Sequence, residues 1–481
     1  MKDFFVILIG RVFQVLASIF SVKLLTNMLD VAEIGRYYLL SSLLSWVSLV
    51  FINPVSTFMG RHFIEWKELN TLKSRYKIYS KYTLFVAFIS VLFFAVWNNF
   101  FGFGVSVSTL FLVLILFFNI AVGEICALSI TGLNIFNKRY LYVFLTNLVS
   151  WGGMGLAFLF VVKFSKNAEN WIIGFTIAKI LGGMIAFLIF FKFFGKSEKD
   201  NTSNMSSFIA EIFKFSWPLA IGVGLYWIQT QGYRFVFSNI AGKETLGLFG
   251  AGYAVGSGLL TAYEQVFNQY YQPIFYKEIT TDNKELRMAA VRRYAERFIP
   301  TVIVVSSGII AFSSVLIVLF TAPKFAGAFV AVIWSVIIET IRIIHTAYYQ
   351  AAIAEKNSSI LLLSGFSGAL GAIGFMFLLS RFGLNGAGIA LTLSWAIMLC
   401  VQMFLMRNKM KNILPLKKIL KTLLFSIPIL SFFFVLKALF LSKSYILCSS
   451  SSIIIVSYGA SLVINCSKEW LFTPKVQERN L

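Results

Sequence analysis

Among the basic residues in or at the end of long apolar runs of this sequence, where a charge needs a partner or a function, four are the first candidates for a functional site. They are Arg11, Lys23, Lys179 and Arg234. Ionisable groups at such depth are costly and usually face a cavity or an opposite charge. Arginine can hold an anion such as a phosphate through two parallel hydrogen bonds, and lysine can hold it as a point charge. Arg11 shares one helical stripe with Gln14 and Ser18, whereas Lys23 and Arg234 lie near the ends of their runs and could instead snorkel towards lipid headgroups.

Carboxylates and a histidine in other apolar runs could take up a proton or bind a cation. Glu124 and Glu264 each stand in an apolar run, where an acidic side chain is equally costly. Glu339, Arg342 and His345 follow at spacings of three residues and therefore share one face of a helix. The Glu339–Arg342 pair is either a structural ion pair or part of a functional site. His345 can take up a proton near neutral pH.

These residues must be positioned by about fourteen apolar runs, which occupy nearly the whole chain. The predicted helices cover residues 4–29, 37–58, 81–101, 108–130, 141–162, 171–194, 209–233, 245–271, 298–320, 326–352, 358–380, 385–407, 418–440 and 444–464. Apolar residues make up 58% of the chain and the mean hydropathy is +0.81, which a water-soluble domain could not bury. The sequence therefore predicts an all-α polytopic membrane protein with about 14 transmembrane helices, because about 20 apolar residues span a bilayer as a helix.

The basic residues alternate between loops, which orients the predicted helices in the membrane. The formal net charge is +22, and Lys and Arg concentrate in the loops at 59–81, 277–297 and 407–421. The positive-inside rule places these loops and both termini in the cytoplasm, against anionic membrane lipids. This distribution argues against nucleic acid as a partner. Within the second loop, residues 284–297 are predicted to form an amphipathic helix on the inner membrane surface.

The chain offers little for catalysis or for metal binding. No predicted loop exceeds about 30 residues, so no room is left for a soluble catalytic or nucleotide-binding domain. The cysteines are Cys126, Cys400, Cys448 and Cys466. They are scattered through or beside apolar runs without a metal-ligand motif, and we interpret them as small packing residues. We therefore expect a protein that is not an enzyme, without catalytic residues, a metal site or a cofactor.

The sequence contains a weak internal repeat. Residues 22–43 and 234–255 are similar, and Gly247 follows Gly35 at the same offset that relates Asn239 to Asn27. Both segments lie where an odd-numbered predicted helix turns into the next, so the repeat unit would be six helices. An even unit gives two copies of one orientation, related by a pseudo-two-fold axis along the membrane normal. The predicted domains are two six-helix bundles, 1–195 and 209–407, and two additional C-terminal helices in 418–464.

Three segments resemble one known family of membrane proteins. LLTNMLDVAEIGRYYL at 24–39 resembles the first helix–loop–helix of polysaccharide exporters of the multidrug/oligosaccharidyl-lipid/polysaccharide superfamily. The stretch at 215–256, which begins FSWPLAIGVG, is similar to the opening of the second half of that family. FGLNGAGIALTLSW at 382–395 resembles the segment between its eleventh and twelfth helices. Family members often carry an Asp before the basic residue of the seventh helix, where this chain has Tyr233 before Arg234.

The resemblance implies a Wzx-type flippase of the bacterial inner membrane. Such proteins move polyprenyl-diphosphate-linked oligosaccharides for O-antigen, lipopolysaccharide or capsule synthesis by alternating access, driven by H⁺ or Na⁺, beside the polysaccharide polymerase machinery. The candidate cationic residues that would bind the diphosphate along its path are Arg11, Lys23, Lys179, Arg234 and Arg342. The candidate coupling groups are Glu124, Glu264, Glu339 and His345. The alternative is a cation-coupled multidrug exporter of the same superfamily, which should place carboxylates in the first helix. Between Phe4 and Leu29 there are none.

Overall fold

The computed structural model describes residues 2–100, 108–194, 205–279, 283–355, 359–408, 413–441 and 455–465. Helices are the regular elements throughout these residues, as the apolar runs predict. The chain folds as two compact units, Met1–Gly247 (unit 1) and Leu248–Leu481 (unit 2). The two predicted six-helix bundles and their symmetry stay predictions.

The helices of unit 1 carry most of the candidate residues. They are α1 (Lys2–Met28), α2 (Val31–Val47), α3 (Asn53–Glu68), α4 (Leu72–Phe100), α5 (Thr109–Phe117), α6 (Ile125–Ile135), α7 (Arg139–Lys163), α8 (Ala168–Phe194), α9 (Met205–Trp227) and α10 (Tyr233–Ala241). α11 (Lys243–Ile279) begins in unit 1 and continues into unit 2. The remaining helices of unit 2 are α12 (Lys284–Ala311), α13 (Ser313–Phe320), α14 (Phe329–Ala354), α15 (Ser359–Leu379), α16 (Gly383–Met406), α17 (Leu416–Leu441) and α18 (Ile455–Asn465).

Eleven helical stretches in the described residues are long and apolar enough to span a membrane. The first ten correspond in order to the first ten predicted runs. The last, Ile360–Met406, contains α15 and α16, which are separated by a turn at Ser380–Phe382. Gly383 follows that turn with a φ of +63°, a conformation that favours glycine. A polytopic all-α membrane protein is confirmed, while the count of fourteen helices stays a prediction.

Two predicted boundaries were wrong. The second run does not end at 58, because Val31–Glu68 forms one helical stretch of 38 residues. A π-helical segment, Ser48–Ile52, precedes Pro54 and widens the helix where the proline ring lacks an N–H and crowds the preceding turn. Residues 284–297 are not a separate surface helix, since they form the first half of α12. Their side chains include buried Tyr294, which a helix lying on the membrane surface would expose.

The described residues of unit 1 contain three π-helical segments, all within long membrane-spanning stretches. They are Ser48–Ile52 between α2 and α3, Phe118–Glu124 between α5 and α6, and Ile228–Gly232 between α9 and α10. A π-helical turn inserts an extra residue, which re-aims nearby side chains and frees a backbone carbonyl from the regular pattern. Such segments are frequent at functional sites, so the polar residues beside them are candidates for a functional site.

The start of α2 and the start of α11 cross at two glycines. A Cβ atom on Gly35 would lie well inside 3.0 Å of the Lys243 carbonyl, and one on Gly247 would collide in the same way with the Val31 carbonyl. The contact is reciprocal. Gly35 meets Lys243 and Gly247 meets Val31, and in the proposed repeat Lys243 corresponds to Val31 as Gly247 does to Gly35. Backbone atoms cannot turn aside as a side chain can, so only glycine fits at either position.

The additional C-terminal helices, α17 and α18, pack on α12 within unit 2. Ile429 of α17 is buried in a cluster with Val304 and Ala311 of α12. Tyr458 of α18 packs against the same cluster, and its hydroxyl donates a hydrogen bond to the Phe425 carbonyl over 3.2 Å. Part of the predicted last helix, before residue 455, lies outside the described residues.

Candidate functional site

The first candidate site lies in unit 1, beside the π-helical segments. The Lys179 ammonium on α8 is 2.7 Å from the Glu124 carboxylate and 3.2 Å from the Asn119 carboxamide oxygen. The Ser48 hydroxyl donates to the same Glu124 oxygen over 2.9 Å. Asn119 in turn donates to the hydroxyl of Thr176 over 3.1 Å. Two predicted site residues, Lys179 and Glu124, thus form one hydrogen-bonded ion pair.

The ion pair is largely withdrawn from the surface of unit 1. Its side chains are 27% exposed for Lys179 and 16% exposed for Glu124. A Cβ atom added to Gly123 would lie 3.2 Å from the Lys179 side-chain carbons, so the lysine stem runs along the glycine. Because Lys179 and Glu124 neutralise each other, Lys179 is not a free cation and Glu124 is not a free carboxylate.

Arg234 on α10 has neutral partners. Its guanidinium donates to the Ser42 hydroxyl over 3.0 Å and to the Tyr38 carbonyl over 3.4 Å. It also lies over the Tyr38 ring, with 5.2 Å between the guanidinium carbon and the ring centroid. Within the part of the chain that the structure describes, no carboxylate pairs with Arg234. The side chain is half-buried, so the guanidinium does not extend fully into water. No acidic group among the described residues neutralises its charge.

A polar and aromatic group adjoins Arg234 one helical turn away. The Ser45 hydroxyl donates to the Gln231 carboxamide oxygen over 2.6 Å. The Trp227 indole N–H is shared between the Ser45 hydroxyl at 3.1 Å and the Ser42 carbonyl at 3.2 Å. The Trp227 ring packs against the ring of Trp46 with centroids 4.6 Å apart. The serines and tryptophans of this group were missed from the sequence, since they read as helix packing.

Two predicted cationic residues, Arg11 and Lys23, lie on α1. Arg11 is exposed, and its guanidinium donates to the Gln14 side-chain oxygen over 2.9 Å. The Ser18 hydroxyl donates to the Gln14 carbonyl over 3.0 Å, which confirms that the three residues share a stripe. Lys23 is half-buried near the end of α1. About 18 Å of helix separates Arg11 from Lys23, given a rise of about 1.5 Å per residue.

Unit 2 holds the second candidate site, in which one arginine meets two carboxylates. Arg342 on α14 pairs with Glu264 on α11 and with Glu339 one turn earlier, where the Nε–Oε2 distance is 2.5 Å. The Tyr253 hydroxyl donates to the other Glu339 oxygen over 2.8 Å. The structure therefore brings together three predicted site residues. Their formal charges sum to −1 when all are ionised, so this site has an excess of acid.

His345 lies one turn beyond Arg342 but outside this cluster. Its ring packs edge-on against Trp395, with centroids 5.8 Å apart. His345 is only 6% exposed, and its Nε2 atom is buried without a hydrogen-bond partner among the described residues. It contacts neither Glu264 nor Glu339 through a hydrogen bond. In the described part of the chain, no group of three or more His, Cys, Asp or Glu could hold a metal ion.

A further ion cluster in unit 1 was missed from the sequence. Arg36 on α2 pairs with Glu33 and with Glu169 of α8, each over 2.6 Å. The second Glu33 oxygen accepts a hydrogen bond from the backbone N–H of Ala168 over 2.8 Å, at the start of α8. The spacing of Glu33 and Arg36 was visible in the sequence, but Glu169 is more than a hundred positions away. This cluster ties α2 to α8 by charge and by helix capping.

Comparison with solved structures identifies the fold. The lipid II flippase MurJ, in an inward closed conformation, matches over 97% of this chain and 98% of its own, with a TM-score of 0.69 and 15% identity. This chain therefore shares the fold of that flippase structure. The Vibrio cholerae MATE transporter VcmN matches over 86% of this chain and 98% of its own, with a TM-score of 0.55 and 13% identity.

A third solved structure shares this fold. An inward-facing multidrug resistance MATE family transporter of the MOP superfamily matches over 83% of this chain and 94% of its own, with a TM-score of 0.54 and 12% identity. No protein-family model and no curated protein matches the sequence. The resemblance drawn from the sequence motifs is thus confirmed at the level of the fold. A Wzx-type O-antigen flippase stays a prediction.

Proposed function

We propose that this chain is a flippase for a polyprenyl-diphosphate-linked oligosaccharide, such as an O-antigen or capsule repeat unit. It moves this lipid from the cytoplasmic to the outer leaflet of a bacterial inner membrane by alternating access, without ATP. Both termini lie in the cytoplasm in this proposal. Two observations support it: the fold shared with the lipid II flippase MurJ, and an intramembrane arginine with neutral partners.

The proposal depends most on Arg234 and on its neutral partners. Lys179 and Arg342 are each paired with glutamate and cannot attract an anion without first losing that partner. Arg234 instead contacts the Ser42 hydroxyl and the carbonyl and ring of Tyr38, which carry no net charge. An unneutralised guanidinium in a membrane-spanning stretch is costly, and an anionic ligand removes that cost. A diphosphate matches the guanidinium in both charge and bidentate geometry.

Arg11 and Lys23 extend the positive charge along α1. They stand at different depths of one helix, so they can attract the diphosphate near either end of its path. Arg11 is held by Gln14, a neutral partner, and its exposure leaves further N–H donors open to a ligand. We therefore include both in the substrate path together with Arg234, and exclude Lys179 and Arg342 from direct binding while their ion pairs persist.

Ion coupling is proposed for the arginine and two carboxylates of unit 2. Arg342 neutralises only one of Glu264 and Glu339, which leaves one negative charge in membrane-spanning helices. One proton or one sodium ion would remove that charge, so the cluster has a reason to bind a cation from one side and release it to the other. Glu124 is less suited, because Lys179 already neutralises it. His345 is not joined to the cluster, so we do not assign it this role.

The alternative function is export of a cationic drug with the same transporter fold. The MATE transporters among the similar structures keep this alternative open. A cationic substrate would be repelled by Arg234, whereas a diphosphate would be attracted. The two functions therefore differ in the sign of the charge effect: removing Arg234 should weaken transport of an anionic lipid and should not weaken transport of a cation.

The decisive experiment is translocation in proteoliposomes. A fluorescent polyprenyl-diphosphate oligosaccharide starts in one leaflet, and its arrival in the other leaflet is read by an impermeant quencher or enzyme. The wild type is compared with Arg234→Gln and with Arg381→Gln as a matched control. Arg381 is exposed at the turn after α15, so its loss removes the same charge outside both candidate sites.

Each outcome of this experiment has a clear meaning. We expect translocation by the wild type and by the Arg381 variant, with at least a tenfold loss in the Arg234 variant, which is the value of one charged hydrogen-bonding partner. No translocation by the wild type under a proton or sodium gradient, together with efflux of a cationic dye, would favour the drug exporter. Full activity of the Arg234 variant would remove the observation on which the proposal rests.

A further inference from the structure

We propose that Trp46, Trp227 and Gln231 form a subsite for the sugar that is attached directly to the diphosphate. This inference rests on the proposed function, because it places the sugar next to the phosphate that Arg234 would hold. Arg234 would recognise the charge of the diphosphate, and this subsite would recognise the carbohydrate, a neutral and hydroxyl-rich ligand. The residues belong to unit 1 and lie beside two of its π-helical segments.

The two indole rings form one aromatic surface that polar contacts hold in place. Trp227 is 9% exposed, and its N–H donates to Ser45 and to the carbonyl of Ser42. Trp46 packs on Trp227 at an interplanar angle of 56° and is itself only half-buried. The edge of Phe51 supports Trp46, with ring centroids 6.3 Å apart. Trp227 is therefore the fixed base, and Trp46 is the ring that a ligand can reach.

Two hydrogen-bond donors beside this surface have no partner in the described residues. The Gln231 carboxamide oxygen accepts from Ser45, so its NH₂ group points away from that bond and remains available. The indole N–H of Trp46 makes no hydrogen bond within that part of the chain either, although Trp46 lies in a membrane-spanning stretch. Lipid tails offer no acceptor, so a ligand with hydroxyl or carbonyl oxygens satisfies donors that are otherwise unpaired.

A sugar matches both properties of this surface. One face of a pyranose ring carries C–H groups that pack on an aromatic ring, while its hydroxyl or acetamido oxygens accept hydrogen bonds at the edge. Gln231 and Arg234 contact Ser45 and Ser42, which are three residues apart on α2 and therefore neighbours on one helical face. A sugar bonded to a phosphate therefore reaches the amide and the aromatic surface while its phosphate contacts the guanidinium.

The same aromatic pair could in principle hold an organic cation through its π faces. Arg234 argues against that occupant, because its guanidinium is attached to the same group through Ser42, which contacts both Arg234 and Trp227. A cationic ligand on the aromatic pair would lie about one helical turn from the unneutralised guanidinium of Arg234. Neutral or anionic ligands meet no such repulsion, so the geometry favours a glycosylated diphosphate.

The test compares two probe lipids that differ only in the sugar. One is a short-chain polyprenyl diphosphate, and the other is the same lipid with a single N-acetylhexosamine. Dissociation constants are measured for both lipids with the full-length protein in detergent micelles. The variants are Trp46→Ala, Gln231→Leu and Arg234→Gln. Trp217→Ala is the matched control, since Trp217 is 50% exposed on α9 and lies outside the subsite.

We expect the wild type and the Trp217 variant to bind the glycosylated lipid roughly tenfold more tightly than the bare diphosphate, as one aromatic contact and one hydrogen bond allow. Trp46→Ala and Gln231→Leu should abolish this ratio and leave the affinity for the bare diphosphate unchanged. Arg234→Gln should weaken both lipids equally. A conservative Trp46→Phe variant, which keeps a ring, should recover part of the ratio and exclude simple misfolding.

Failure of this inference and failure of the proposed function give different results. If neither lipid binds to the wild type, the proposed function is wrong. If both lipids bind equally to the wild type, or if the Trp46 and Gln231 variants keep the wild-type ratio, the sugar subsite is wrong while the diphosphate site stands. Tighter binding of a quaternary ammonium dye that is lost in Trp46→Ala would assign the aromatic pair to a cationic ligand and overturn the inference.

Discussion

Removing one partner of the Lys179–Glu124 ion pair should destabilise the protein more than removing both. Lys179→Met leaves the Glu124 carboxylate with the Ser48 hydroxyl at 2.9 Å as its remaining side-chain donor. Breaking a buried pair costs about 3–5 kcal/mol because it strands a charge, and the partial exposure of this pair places the expected cost at about 2–3 kcal/mol.

The double variant separates this pair from the rest of the packing. Glu124→Gln leaves the Lys179 ammonium with neutral acceptors alone, the Asn119 oxygen at 3.2 Å and the new amide oxygen, at a similar cost of about 2–3 kcal/mol. Lys179→Met combined with Glu124→Gln leaves no charge and should cost only about 1–2 kcal/mol. The coupling energy is then about 3.5 kcal/mol, slightly above the usual range for contacting residues.

The assay is the free energy of unfolding in mixed detergent–SDS micelles. Lys163→Met is the control, since Lys163 is exposed at the end of α7. Additive single variants would refute the reasoning and show that the two groups do not share one charge balance.

Two further predictions test the helix crossing and the acidic cluster. Gly35→Ala and Gly247→Ala should each lower the melting temperature strongly, because the new methyl group meets a backbone carbonyl, whereas Gly258→Ala, which faces open space, should not. Equal melting of all three variants would contradict the close crossing. Glu339→Gln removes the excess charge of the unit 2 cluster, so its transport should no longer follow a proton or sodium gradient, while Tyr253→Phe, which removes one hydrogen bond, should keep that dependence. A Glu339→Gln variant that still concentrates substrate against its gradient would exclude the cluster from coupling.

The membrane-spanning helices could be predicted from the sequence alone, for a physical reason. A bilayer leaves backbone groups without water, so any long apolar run must form a helix that satisfies its own hydrogen bonds. The pairing of Glu339 with Arg342 was also predictable, since it depends only on helical spacing. The same local rules misjudged residues 284–297, because charge on one helix face does not tell whether that helix lies on the membrane or continues through it.

Only the tertiary structure decided which charges are free. Lys179 meets Glu124 across 55 residues and Arg342 meets Glu264 across 78, because two helices bring their faces together. Each of these four residues looked alike in the sequence: one charge in an apolar run. Whether such a charge is neutralised depends on how its helix is rotated and how deep it lies relative to neighbouring helices. Hydropathy predicts neither the rotation nor the depth. The sequence by itself therefore determined a helical membrane protein with buried charges, while packing left Arg234 among neutral groups.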